Sequence, residues 1–227
     1  MNKILLALSV FFTITNAIAK DTQELATAPK SFIPTGYIVT EELCGDLNNN
    51  DRRDYVYVIK DTRVSNLVGD EKIDRNRRGL VIVFNQSDGY KLAALNPEIF
   101  SSENEDGGNY YPPELSLDIK GGNLLIEYRH GRYGYWRYNF QYRKTNFQLI
   151  GYDAVFRNGP IIQETVSINF LTEKMRIEKN TTPNAEAGDE KFSELWEDFS
   201  YSKAILLENI DDIDQLNVKK LVTSDLD

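Results

Sequence analysis

Along most of this chain apolar and polar positions alternate with a period of two, the spacing of strands with one face buried and one wet. Residues 37–43 and 55–59 read as two strands rich in Tyr, Val, Ile and Thr, joined by a loop. A charged stretch, 60–78, separates them from the apolar run 79–84, and Ser87, Asp88 and Gly89 turn the chain into 90–95, which predicts a hairpin. Residues 98–113 are irregular. A second hairpin is predicted from 115–119 and 124–128 around Gly121 and Gly122, a third from 133–142 and 147–155, and another strand pair within 164–178 with its turn at 171–174. The expected fold class is mainly β, with antiparallel hairpins arranged as a sandwich or as propeller-like blades.

The period changes near the C-terminus. Thr, Pro, Asn, Ala and Gly cluster at 180–189, after which Phe192, Leu195, Trp196 and Phe199 fall at i, i+3, i+4 and i+7, predicting a short amphipathic helix that covers a sheet edge. The segments that follow from these breaks are a β-rich domain over 31–180, a linker and helix over 181–207, and an acidic tail over 208–227 containing Asp211, Asp212 and Asp214. Residues 204–207 are expected to pack against the domain.

The N-terminus follows neither period. Lys3 precedes an apolar stretch, 4–14, that is far shorter than the roughly twenty residues a membrane helix needs. Thr15 and Asn16 break it, and Ala17, Ile18 and Ala19 form a small-x-small cleavage pattern, so residues 1–19 are expected to be a secretory signal and Lys20 the start of the mature chain. Residues 20–30 are polar and read as a flexible lead-in. The expected location is periplasmic or secreted. Cys44 is the only cysteine, which excludes an internal disulfide, and it lies too far from the cut for a lipid anchor.

Hydrophobic residues make up 41% of the chain, enough for a core that folds without staples. Loss of Lys3 leaves 25 basic residues against 35 acidic ones, a charge of −10 on the mature chain. That balance argues against nucleic acid and anionic membranes, whose phosphates are held by Lys and Arg. A single histidine, His130, and a single cysteine exclude the usual zinc sites and nucleophile–base triads. His130 sits by Gly131 at a hairpin turn with no acidic partner nearby in sequence, and reads as a surface residue.

The stretch 45–56 bears the most specific chemistry. Oxygen-bearing side chains recur at alternate positions, giving Asp46, Asn48, Asn50, the carbonyl of Arg52, and Asp54 just before a strand. Calcium takes six to eight such oxygens, and a tight loop with this spacing can supply them. The alternative is an Asn/Asp-rich loop held by its own side-chain-to-backbone bonds with no ion.

Gly45 to Val56 resembles the calcium loop of FG-GAP or VCBS repeats, the units of integrin-α-type propellers, whose pattern is close to Gly-Asp-Leu-Asn-Gly-Asp-Gly-x-x-Asp before an apolar strand. The resemblance covers 45–59 and extends more weakly to 95; it implies a calcium site at the five positions named and a blade-like start to the domain. Asn50 and Asp51 depart from the pattern, Asp51 standing where the family has the glycine that eases the sharp turn. The remainder of the chain resembles bacterial secreted proteins.

Two further places carry candidate contacts. Glu103, Glu105 and Asp106, followed by Tyr110 and Tyr111, form a secondary acidic loop with flat rings beside it. In the third hairpin, alternation places Trp136, Tyr138, Phe140 and Tyr142 on one face, the expected core, and Tyr133, Tyr135, Arg137 and Arg143 on the other. The second face is either a platform for a glycan or peptide, or a cross-strand ladder of Arg over Tyr. Together these features predict an exported, monomeric, non-enzymatic binding or structural domain, stabilised by calcium and contacting a protein or glycan. The competing expectation is a cell-envelope antagonist or immunity-type protein that turns an acidic surface on a basic partner.

Overall fold

The computed structural model describes residues 25–104 and 112–223. The expected signal at 1–19 lies outside these residues, as do Glu105, Asp106, Tyr110 and Tyr111. The strands in chain order are β1 (Tyr37–Gly45), β2 (Asp54–Asp61), β3 (Leu67–Val68), β4 (Ile73–Asp74), β5 (Arg78–Gln86), β6 (Gly89–Phe100), β7 (Glu114–Lys120), β8 (Asn123–Arg129), β9 (Gly134–Arg143), β10 (Asn146–Asn158), β11 (Ile161–Asn169), β12 (Lys174–Asn180) and β13 (Phe192–Asp198). One short helix, α1 (Val218–Thr223), follows. The fold is mainly β and antiparallel, as the alternation predicts.

Two sheets share one core, as in a sandwich. The first runs β1-β2-β5-β6; the second is an uninterrupted meander of seven strands, β13 through β7. Inward residues from both, among them Val56, Val58, Leu80 and Ile82 from the first and Ile126, Tyr138, Phe140 and Ile168 from the second, are 2% exposed or less. Each such side chain contributes about 1.5–3 kcal/mol by leaving water. Strands β2 and β5 are buried on both faces, because Tyr57, Ile59, Val81 and Val83 form a second, smaller core on the outside of the first sheet. Phe32 and Ile33 at the 3-10 turn Pro29–Phe32 pack against it. Two-sided burial explains the continuous apolar run at 79–84. The lead-in joins this sheet from Ala26, which exchanges backbone bonds of 2.9 and 2.8 Å with Tyr90.

Two segments differ from the sequence reading. Residues 192–198 form β13, not a helix, paired with β12 from Lys174↔Asp198 to Asn180↔Phe192. The apolar spacing suits a helix, but β12 offers an open ladder, and Lys174 meets Asp198 at 2.8 Å while Arg176 meets Glu194 at 2.5 Å across it. Trp196 is left 59% exposed on this outer edge, under the Arg176 guanidinium. The short C-terminal helix instead occupies Val218–Thr223.

The stretch read as an acidic tail is the second correction: its residues up to 223 are built into the core. Leu207, Ile210, Ile213, Val218 and Val222 are all buried, while the acids between them turn outward or pair. The Asn96 side-chain amide, itself buried, donates to the carbonyls of Leu207 (3.0 Å) and Ile210 (2.7 Å). The Ile213 N–H donates to the Ile99 carbonyl at 3.1 Å. Arg77 pairs with Asp212 at 2.8 Å and Lys219 with Glu164 at 2.7 Å.

Candidate functional site

The loop between β1 and β2 is shaped by its own side chains. Asp46 Oδ1 accepts the N–H groups of Asn48 (3.3 Å) and Asn50 (3.2 Å), and its Oδ2 accepts that of Asp51 (2.8 Å). Asn49 and Asp51 both have φ of 59°, a left-handed conformation that Asn and Asp tolerate better than other non-glycine residues. Asn50 Oδ1 accepts the Arg52 N–H at 2.9 Å and its Nδ2 donates to the Asn85 carbonyl at 3.0 Å. Asp54 is fully buried; its two oxygens accept the N–H groups of Leu47 and Asn85, each at 2.9 Å. Burial raises the Asp54 carboxyl above the usual carboxylate range, and the Asp46 charge adds to the rise against the pull of those N–H bonds.

The five expected calcium ligands are therefore close together, and three of them, Asp46, Asn50 and Asp54, already accept backbone N–H groups on their side-chain oxygens. Asn48 differs: its Oδ1 is buried without a hydrogen-bond partner. Carboxylate supply is low, since no group of three or more His, Cys, Asp or Glu suited to a metal occurs among the described residues. The loop abuts the β7–β8 turn, where Gly122 approaches Asn49.

At the opposite end of β8 lies an open groove of about 1000 Å³. Three segments of chain build it: the start of β7, the 3-10 turn Gly131–Tyr133 between β8 and β9, and the β10–β11 turn around Gly159. Gly134 makes the corner. Its φ is 117°, and a Cβ there would lie 1.7 Å from the Val155 carbonyl oxygen, so only glycine lets β9 start this close to β10. Tyr133 is 54% exposed, and Arg132 is exposed with no bonded partner among the described residues. Arg157 donates to the Pro160 carbonyl at 3.4 Å, and backbone N–H bonds together with the Arg157 charge hold the nearby Glu190 carboxyl below its ordinary value. Arg129 lies over the Tyr135 ring at 5.8 Å and binds Glu127 at 2.6 Å.

Glu127, buried, also holds Arg137, whose Nε donates to it at 2.7 Å. One carboxylate thus serves two guanidinium groups. The expected aromatic–Arg face is split by the structure: Tyr133 and Tyr135 line the groove, Arg137 belongs to the ladder beside it, and Arg143 is exposed at the far end of β9. The inward face holds as expected, with Tyr138 and Phe140 fully buried and Trp136 and Tyr142 packed against the core. Glu103 is paired with Arg78 at 2.7 Å.

His130 borders the groove and is not a free surface residue. Its ring stacks on Trp136 at 3.9 Å, and its Nε2 lies 2.8 Å from Asp214 Oδ1, which also accepts the Trp136 indole N–H at 2.7 Å. Both carboxylate and imidazole are close to nine-tenths buried. Arg157, Glu114 and Asp214 are the site-forming residues the sequence reading missed; the Asn158-Gly159-Pro160 turn beside Arg157 was the one local signal.

No protein-family model, no curated protein and no solved structure matches the chain. The likeness of residues 45–56 to a repeat loop therefore stands on that motif alone.

Proposed function

We propose that this chain is an exported, non-enzymatic binding domain that engages a protein or glycan through the groove at the β8–β9 turn, with a calcium ion held in the β1–β2 loop. The groove is the observation that supports the binding reading. It presents two guanidinium groups that form no salt bridge among the described residues and a half-exposed ring in a concavity of ligand size, on a chain whose net charge is −9. Binding fits better than catalysis because His130, the one imidazole, is occupied by Asp214 and Trp136, and no hydroxyl or thiol is bonded to it among the described residues. The positive character of the groove also speaks against an antagonist that meets a basic partner at this surface.

The test is retention of a glycan panel and of envelope proteins on the immobilised chain, run beside the double variant Arg132→Glu/Arg157→Glu. A saturable ligand lost in a variant that keeps its melting temperature supports the proposal. Retention that ignores both charge reversals overturns it.

The calcium element is supported by the unpaired Asn48 Oδ1 and by the spacing of Asp46, Asn50, the Arg52 carbonyl and Asp54. Loop and groove are separated by the length of β8, seven residues or about 20 Å, so an ion in the loop acts on stability and not on a ligand in the groove. Calcium at a hundred times its Kd adds about 2.7 kcal/mol to the folded state. A melting temperature that is equal in millimolar calcium and in chelator rules the ion out. Export is tested by the mass of the secreted chain, which should begin at Lys20.

A further inference from the structure

We propose that the groove is built for a carboxylate-bearing sugar, a uronic-acid oligosaccharide, with the acid taken by Arg132 and Arg157 and a sugar ring laid on Tyr133. The assignment rests on the reading of the groove as a binding surface. It follows from which charges there are already used. Arg129 is committed to Glu127 and to the Tyr135 ring, whereas Arg132 and Arg157 form no salt bridge among the described residues, and the Arg157 charge acts on Glu190 only from beyond ion-pair distance. Two guanidinium forks outside any salt bridge, in one concavity of an acidic protein, define an anion site, and their planar geometry matches a carboxylate with two parallel N–H bonds.

The remaining chemistry separates an acidic sugar from an acidic peptide. An extended peptide is gripped by the free edge of a sheet. Here β8, β9, β10 and β11 are all interior strands with both ladders filled, and the one edge strand at the groove, β7, enters it only through Glu114, its first residue, so the groove offers mainly side chains and turn backbone. Glu114 also lines it, exposed and free of any ion pair among the described residues. A lone carboxylate accepts sugar hydroxyls, donors that a run of Asp and Glu side chains lacks. Tyr133, 54% exposed and without a ring contact among the described residues, supplies the flat apolar face that a pyranose ring covers.

The experiment is calorimetric titration of the full secreted chain with tetragalacturonate, with cellotetraose as the neutral match and with tetraglutamate as the acidic peptide. Tetragalacturonate should bind, more weakly at 300 mM than at 50 mM salt. Arg132→Gln and Arg157→Gln should each reduce its affinity about tenfold or more, as loss of a charge-assisted bond does. Tyr133→Ala should also weaken binding, and Arg143→Gln, at the far end of β9, should not. Equal binding of cellotetraose, insensitive to the arginine variants but lost in Tyr133→Ala, overturns the acidic-sugar assignment and leaves the groove a binding site. Preference for tetraglutamate overturns it in favour of a peptide. No binding of the acidic sugar overturns it outright, while the broader reading is still decided by the panel and the charge-reversed double variant.

Discussion

Replacing Asp214 by alanine should unlatch the C-terminal segment from the third hairpin. One oxygen of Asp214 accepts both the Trp136 indole N–H and His130 Nε2, at 2.7 and 2.8 Å. A bond to a charged acceptor is worth about 1.5–3 kcal/mol, and truncation leaves the nearly buried His130 ring and the partly buried Trp136 indole N–H without this acceptor. Because the two bonds share one oxygen, the combined loss is set at ~3 kcal/mol. For a chain of this length 1 kcal/mol moves the melting temperature by about 2–4 °C, so a fall of roughly 6–12 °C is expected. Thermal unfolding followed by circular dichroism measures it, with exposed Asp211→Ala as a control that should stay within about 0.5 kcal/mol. The chain has only two tryptophans, so in a Trp196→Phe background the emission of Trp136 reports the latch directly. If Asp214→Ala melts no lower than Asp211→Ala, Asp214 is not a structural anchor and the latch does not exist.

Other outcomes follow from single residues. Gly134→Ala should lose more than about 3 kcal/mol in urea unfolding, since backbone strain at positive φ alone accounts for ~1–3 and the new Cβ meets the Val155 carbonyl; a loss under 1 kcal/mol would refute the need for glycine. Tyr138→Phe should raise stability by about 1–2 kcal/mol, because the hydroxyl is buried with no partner; a lower urea midpoint would mean that the hydroxyl is bonded. Burial pushes the phenols of Tyr128, Tyr138 and Tyr152 above their ordinary value of 10.0. Their folded pKa exceeds the unfolded one, so this stability is whole below about pH 10 and is lost as pH rises through the folded values. Tyrosinate absorbance should therefore climb together with loss of near-ultraviolet dichroism, and full ionisation with native dichroism retained would contradict the burial argument.

Hairpins were legible wherever turn chemistry marked them. Ser87 and Asp88 join β5 to β6, and Gly121 and Gly122 join β7 to β8, because few residues take the backbone angles a tight turn demands. Period two likewise sorted Tyr138 and Phe140 inward and Tyr133 and Tyr135 outward. The misreadings share a cause: long-range partners overrode a local pattern. Phe192, Leu195, Trp196 and Phe199 satisfy a helix, yet the open ladder of β12 claims the segment. Residues 208–223 look like a solvated tail by charge, yet Asn96, 111 and 114 positions upstream of its partners, ties them down. His130 finds its acid 84 residues away, a separation that no local spacing encodes. The groove was half visible, since Tyr133 and Tyr135 lie in the conspicuous aromatic stretch and Arg157 comes from a different turn.

The edge strand β13 also bears on how concentrated a solution of this protein can become. Its backbone lies open along one side and displays Phe192, Leu195 and Trp196, the ingredients for copies to zip together into ever longer sheets. The same seven residues contain Glu194, Glu197 and Asp198 and no base; Arg176 and Lys174 of β12 balance Glu194 and Asp198, so Glu197 is the charge that each approaching copy adds without a salt bridge among the described residues. The Arg176 bond holds Glu194 below the usual carboxylate range, which keeps that cross-strand ion pair intact into mild acid. Salt shortens the reach of the Glu197 charge to about 8 Å at physiological strength. At this edge the protection therefore rests on the charge of a single residue, Glu197, and strong acid together with high salt is the condition that removes it.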